Sequence, residues 1–87
     1  MGNDTISFVV ETIRELARRG TLPADLADVQ MSGTTTVDTL GLDSIARLEL
    51  LAELEERADI AVPESLVVGI RTIGDLAAAL VHLGEAA

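Results

Sequence analysis

The chain has 87 residues, with 15 Asp and Glu against 6 basic residues, all of them arginine, for a formal charge of −9. So acidic a surface repels phosphate backbones, and Phe8 as the sole aromatic side chain gives bases nothing to stack on, which excludes nucleic-acid binding. The absence of cysteine removes disulfides, thiolate metal sites and a thiol nucleophile, and His82, the single histidine, builds no His-based cluster, so no metal site is expected.

The length suits one domain, residues 1–87, and a 48% hydrophobic content is that of a globular chain. The longest apolar run, Leu76 to Val81, is far short of the roughly 20 residues that span a bilayer. Met1-Gly2-Asn3-Asp4 lacks the basic start of a signal peptide. A cytoplasmic protein is expected, monomeric alone and without membrane attachment, whose field favours basic protein partners.

The first periodic segment runs from about Asp4 to Arg19. Ile6, Val9 or Val10, Ile13, Leu16 and Ala17 recur at helical spacing, and Asp4 is placed to cap the start. Arg18 and Arg19 suit the negative end of the helix dipole, with Gly20 just beyond it. From Gly20 to Asp43 no period is sustained, an uncommon length for a loop in a small domain. Pro23 followed by Ala24, Leu26, Ala27 and Val29 suits one short helical turn, and Leu22, Leu26, Val29, Val37 and Leu40 argue that the loop packs down.

A second helix spans about Ser44 to Arg57, Pro63 sets a boundary, and a short helical turn is expected around Ser65 to Gly69. The last helix begins at Thr72, with Asp75 taking the capping-box place usual for Glu or Gln. Ile73, Leu76, Ala77, Leu80 and Leu83 mark its buried stripe, and Gly84 is expected to end it. Nothing alternates with period two. The expected fold is all-α: a small four-helix bundle of three main helices and one short one, with a long loop after helix one.

The middle helix is uneven. At roughly 100° per residue, Leu50, Leu51, Leu54 and Ala58 gather on a core arc, and Ile45, Leu48 and Ala52 fall on a second one. Glu49, Glu53 and Glu56 line the far side of that second arc, and Arg47 projects near the core arc. A core-facing stripe on a surface helix is about 100° wide, and the apolar arc here is about twice that. Two readings follow: a helix buried on two sides with a solvated acidic edge, or an exposed stripe whose carboxylates steer a basic partner.

Ser44 sits at or next to the start of this helix, where serine is a common cap and where free N–H groups also favour an attached phosphate. The charge of Asp43 opposes such a phosphate, so a partner contact is the better expectation for the aspartate. A serine nucleophile needs a base, and no pattern places His82 near Ser44, so no catalytic residue is expected.

At Asp43-Ser44-Ile45 the chain resembles an acyl carrier protein, and the likeness runs along the sequence. Gly41-Leu42-Asp43-Ser44-Ile45 is similar to that family's G-x-D-S-L/I attachment motif. Leu48-Glu49-Leu50 and Ala52-Glu53-Leu54-Glu55-Glu56 follow at the family's spacing. Ile60-Ala61-Val62-Pro63-Glu64 resembles its I-x-[IV]-P segment, and Thr72-Ile73-Gly74-Asp75-Leu76 its T-[IV]-x-[DE]-[LI] helix start.

The resemblance implies that a phosphopantetheinyl transferase attaches 4′-phosphopantetheine from coenzyme A to Ser44, beside Asp43. The thiol of that arm then carries acyl groups as thioesters, so the chain itself catalyses nothing, and tethering raises the cargo's effective concentration at a docked enzyme. Implied partners are an acyltransferase or ligase, a ketosynthase and other pathway enzymes with basic docking surfaces. The implied docking face comprises Asp43, Ile45, Leu48, Glu49, Ala52, Glu53 and Glu56. An interior lined by Leu50, Leu54, Ile60, Val62, Ile70 and Leu76 would shelter an acyl chain.

The departures from fatty-acid carriers are specific. Ala46 stands where they commonly have an acidic residue, Arg47 adds a positive charge, Ala52 replaces a frequent Met, and Ala58 replaces a frequent aromatic. They point to a discrete carrier in polyketide or related secondary metabolism, such as antibiotic biosynthesis. Leu42-Asp43, where peptidyl carriers have Gly-Gly, points to acyl cargo. An aminoacyl or peptidyl carrier and an unmodified acidic helical adaptor remain as alternatives.

Overall fold

In the computed structural model, which describes residues 2–63, 65 and 69–86, three α-helices carry the fold: α1 over Gly2–Arg18, α2 over Ser44–Ala58 and α3 over Ile73–Ala86. One face of α1 buries Val9, Val10, Ile13, Leu16 and Ala17. Thr12 is buried on the same helix and loses nothing by it, because its hydroxyl donates to the Phe8 carbonyl at 2.8 Å. The helix starts earlier than its apolar period suggests. Asp4 therefore lies inside the first turn instead of capping it, where its charge still complements the dipole. At the other end Gly20 takes φ +81°, and the N–H groups of Gly20 and Thr21 donate to the carbonyls of Ala17 and Leu16 at 3.1 and 2.9 Å. That is the left-handed Schellman stop a glycine permits.

The long loop is pinned to the core by its apolar side chains. A 3-10 turn forms at Ala24–Ala27 and buries Leu26, and Leu22, Val37, Leu40 and Leu42 are buried on either side of it. The loop is then lashed to the start of α3. Val37 N–H donates to the Arg71 carbonyl at 2.9 Å, Ile73 N–H to Thr35 at 2.9 Å, and Gly74 N–H to Gly33 at 2.8 Å, around a lone antiparallel bridge between Thr36 and Thr72. The capping box completes the set: Asp75 N–H donates to Thr72 Oγ1 at 3.0 Å, and Thr72 N–H to Asp75 Oδ2 at 3.1 Å. All the orphan donors of α3 are thus satisfied.

On α3, Ile73, Leu76, Ala77 and Leu80 are buried and Leu83 is half-buried. Gly84 does not end the helix. It keeps a helical conformation, and the helix runs on to Ala86, since only a left-handed glycine breaks the hydrogen-bond ladder. On α2 the core residues are Leu50, Leu51 and Leu54, whereas Ala58, expected among them, is exposed. The last turn of α2 runs past the edge of the core and stops at Asp59, whose φ of 56° is left-handed. α1 is the centre of the packing and contacts α3, the 3-10 turn and α2. No strand occurs among the described residues, and the short helix expected around Ser65 to Gly69 lies largely outside them.

Candidate functional site

Four consecutive residues build the start of α2, each by a different physical rule. Gly41 takes φ +73°, a left-handed turn that a side chain would strain, and its N–H donates to the Asp38 carbonyl at 3.0 Å. Leu42 is buried, and its N–H donates to Val37 at 3.3 Å, which anchors the turn to the core. Asp43 is extended and is the N-cap, its Oδ1 accepting the Ala46 N–H at 2.8 Å. Ser44 is therefore the first residue inside the helix, exposed, and its hydroxyl makes no hydrogen bond among the described residues.

By residue type alone Ser44 and Asp43 are equally good caps. The geometry gives the cap to Asp43, so the aspartate has a structural role in the helix start besides the partner contact expected of it. It also leaves the serine hydroxyl unoccupied. The N–H groups of Ser44 and Ile45 find no protein acceptor among the described residues, so the positive end of the α2 dipole stays open beside that hydroxyl.

Arg47, one turn further on, is not a free cation on an exposed face. Its Nε donates to the Leu42 carbonyl at 3.1 Å, and its Nη2 pairs with Asp38 Oδ1. The guanidinium thus staples α2 to the turn that leads into Ser44. Residue spacing gives no signal for this contact, because Asp38 lies across a turn and not on the helix.

The second apolar arc of α2 faces solvent: Ile45 is 69% exposed, Leu48 53%, and Ala52 is exposed between them. Glu49 and Glu56 are exposed, and neither they nor Asp43 form an ion pair among the described residues. Glu53 differs. It is half-buried and paired with two arginines, Oε2 lying 2.8 Å from Nε of Arg57 on the same helix and Oε1 3.0 Å from Nη2 of Arg19, just past the end of α1. Hydrogen bonds from Arg57 first and Arg19 second hold its carboxyl below the ordinary value. Glu53 is therefore paired within the fold, whereas Asp43, Glu49 and Glu56 carry the acidity of this face that is unpaired among the described residues.

The six interior residues expected to line a pocket are only partly brought together. Leu50, Ile70 and Leu76 join Val37, Arg47 and Leu51 around a cavity of about 20 Å³ between α2 and α3. Leu54 is fully buried in the core, and Ile60 and Val62 are half-buried against it without reaching the cavity. His82 is exposed on α3. No helix of the described residues is long and apolar enough to cross a membrane.

The described residues thus form a small helical core with an exposed serine hydroxyl at the start of α2 that makes no hydrogen bond among them. The sequence matches the phosphopantetheine attachment site family over residues 7–80, and the chain belongs to that family. It is similar to an acyl carrier protein of Streptomyces coelicolor, 47% identical over 49 residues, a match covering 56% of this chain and 50% of that one. It is also similar to an acyl carrier protein of Rhodococcus erythropolis, 28% identical over 67 residues, covering 72% of this chain and 74% of that one. The meromycolate extension acyl carrier protein of Mycobacterium bovis is 27% identical over 82 residues, covering 94% of this chain and 66% of that one. The matches thus span between about half and two thirds of the Streptomyces and mycobacterial proteins. All three are named as carriers and none as an enzyme.

Family membership makes 4′-phosphopantetheine the covalent prosthetic group, and the start of α2 fits it. The serine hydroxyl is exposed and unbonded, and two N–H groups stand free for a phosphodiester at the positive end of the helix. The group supplies a thiol, which a chain without cysteine lacks.

Proposed function

We propose that the chain is an acyl carrier that holds 4′-phosphopantetheine on Ser44 and passes thioester-bound acyl groups among the enzymes of a polyketide or related secondary-metabolite pathway in the cytoplasm. The observation that carries this reading is the exposed, unbonded hydroxyl of Ser44 at the first position of a helix whose cap is supplied by its neighbour. In the attachment step Ser44 Oγ attacks the pantetheine-side phosphorus of coenzyme A. The new O–P bond forms as the pyrophosphate link breaks, and adenosine 3′,5′-bisphosphate leaves. The hydroxyl proton passes to a base on the phosphopantetheinyl transferase, since the Asp43 carboxylate is already engaged by the Ala46 N–H.

The exposed Ile45–Leu48–Ala52 stripe, edged by Asp43, Glu49 and Glu56, is the docking surface of this proposal. Its acidity suits basic surfaces on the transferase, on an acyltransferase or ligase, and on a ketosynthase. The departures from fatty-acid carriers at Ala46, Arg47, Ala52 and Ala58 support the secondary-metabolite assignment. Incubation with coenzyme A and a broad-specificity phosphopantetheinyl transferase, followed by intact mass measurement, tests the core of the reading. One phosphopantetheinyl group is expected on the wild type and none on Ser44→Ala. No gain, or a gain that survives the substitution, overturns it.

A further inference from the structure

Both α2 and α3 pack on α1, and no comparable contact joins the two to each other among the described residues. The cavity of about 20 Å³ at the seam between them has room for about one water molecule. Of the six described residues around it, five are aliphatic and the sixth is Arg47. The Arg47 guanidinium stands at the rim of this apolar slot, compensated there by the Leu42 carbonyl and by Asp38.

We propose that Arg47 determines cargo specificity: it keeps saturated acyl chains out of the α2–α3 seam and favours cargo with an oxygen acceptor close to the thioester. The inference rests on Ser44 bearing the arm. Ser44 and Arg47 are three residues apart on one helix and so are surface neighbours, and helical side chains lean towards the helix N-terminus. A chain tethered at Ser44 that turns towards the seam meets the guanidinium before it meets Leu50, Ile70 or Leu76.

That guanidinium is held on both sides, by the Leu42 carbonyl and by Asp38. A hydrocarbon that displaced it would leave the Leu42 carbonyl without its donor and offer nothing in return. A carboxylate or keto group would instead accept from the N–H groups Arg47 has left over, five being present on the side chain. The latch is not rigid: the Asp38 side chain is 88% exposed, and an ion pair so solvated is weak. A plain brace between helix and loop would alter stability equally for every cargo, and that separates the two roles.

The test compares octanoyl and malonyl forms of wild type, Arg47→Leu and Asp38→Asn, each confirmed by intact mass, in ¹H–¹⁵N spectra. In wild type the octanoyl group should leave the amide signals of Leu50, Ile70 and Leu76 where the unacylated thiol form has them, and the malonyl group should shift the Arg47 Nε–H signal. In Arg47→Leu the octanoyl group should move all three amides, and cleavage of its thioester by hydroxylamine should slow severalfold. Asp38→Asn, at an exposed site that leaves the core untouched, should show the same changes to a smaller degree. Octanoyl shifts as large in wild type as in Arg47→Leu, or an Arg47 signal indifferent to malonate, overturn the proposal. Should Arg47→Leu not fold, the wild-type and Asp38→Asn arms still decide it. Absence of the loaded mass in wild type overturns the attachment reading, and this inference with it, before any spectrum is recorded.

Discussion

A glycine inside a helix is ordinarily a weakness, and its replacement by alanine gains about 0.5–1 kcal/mol. Gly74, in the first turn of α3, should do the reverse. A Cβ built on it stands 2.7 Å from the Gly33 carbonyl oxygen, a backbone atom that no side-chain rotation can move aside. The same oxygen accepts the Gly74 N–H at 2.8 Å. Gly74→Ala must therefore push the loop off the helix, losing a hydrogen bond of about 1 kcal/mol and incurring about 1–3 kcal/mol of overpacking. Set against the helix gain, the net cost is about 1–3 kcal/mol, or roughly 4–8 °C in Tm per kcal/mol for a domain of this size.

Gly84 supplies the control. It lies in the same helix, and a Cβ there meets nothing within 4 Å, so Gly84→Ala should gain about 0.5 kcal/mol, reduced by its place in the last turn. Because the chain has no Trp or Tyr, far-ultraviolet circular dichroism in urea and thermal melts is the appropriate probe. If Gly74→Ala proves as stable as wild type while Gly84→Ala behaves as stated, the close approach of the loop to α3 is wrong.

Three further outcomes are expected. Asp43→Ala should cost about 1 kcal/mol in urea titration and Asp43→Asn only a few tenths, because the amide oxygen can still accept the Ala46 N–H; equal losses would mean that Asp43 acts through its charge. Hydrogen bonds from the Arg71 and Thr72 backbones lower the Asp75 carboxyl, and Arg57 and Arg19 lower that of Glu53. Both groups bind protons more weakly folded than unfolded, so their stabilisation is complete above the ordinary carboxylate range and is lost as pH falls through the folded values. Denaturation midpoints should drop below about pH 4, less so in Asp75→Asn, and a flat acid profile would refute this. Glu49→Lys should slow association with a partner enzyme, most of all at low salt, whereas Glu53→Lys should chiefly lower stability by repelling Arg19 and Arg57; the reverse pattern in stopped-flow binding and melting would refute the division.

What the sequence makes legible is what one-sided burial imposes locally. Ile13, Leu16 and Ala17 on α1, and Ile73, Leu76, Ala77 and Leu80 on α3, repeat because each helix hides a single face. Thr72 and Asp75 announce a helix start because both halves of a capping box lie within one turn. The doubled arc of α2 is legible as well, and it divides into the buried Leu50, Leu51 and Leu54 and the exposed Ile45 and Leu48. What escapes is every contact between distant segments. Gly33 and Gly74, Arg47 and Asp38, and Arg19 and Glu53 are joined only by the fold. The same is true of the pocket: Ile60 and Val62 have the right chemistry for an apolar lining, yet they pack against the core elsewhere.

The division of roles between Asp43 and Ser44 has an energetic consequence. A serine that capped α2 would hold a backbone N–H through the very oxygen that the phosphodiester engages, so stability would vary with modification. With Asp43 accepting the Ala46 N–H, the Ser44 oxygen bears no part of the helix, and the cap survives modification unchanged. Ser44→Ala should therefore shift stability by no more than about 0.5 kcal/mol, as for an exposed surface position, and not by the roughly 1 kcal/mol that loss of a serine cap costs. The unmodified and phosphopantetheinylated forms should likewise unfold at closely similar urea concentrations. A loss of about 1 kcal/mol in Ser44→Ala together with an unaltered Asp43→Ala would return the cap to the serine and undo the separation of fold from cargo.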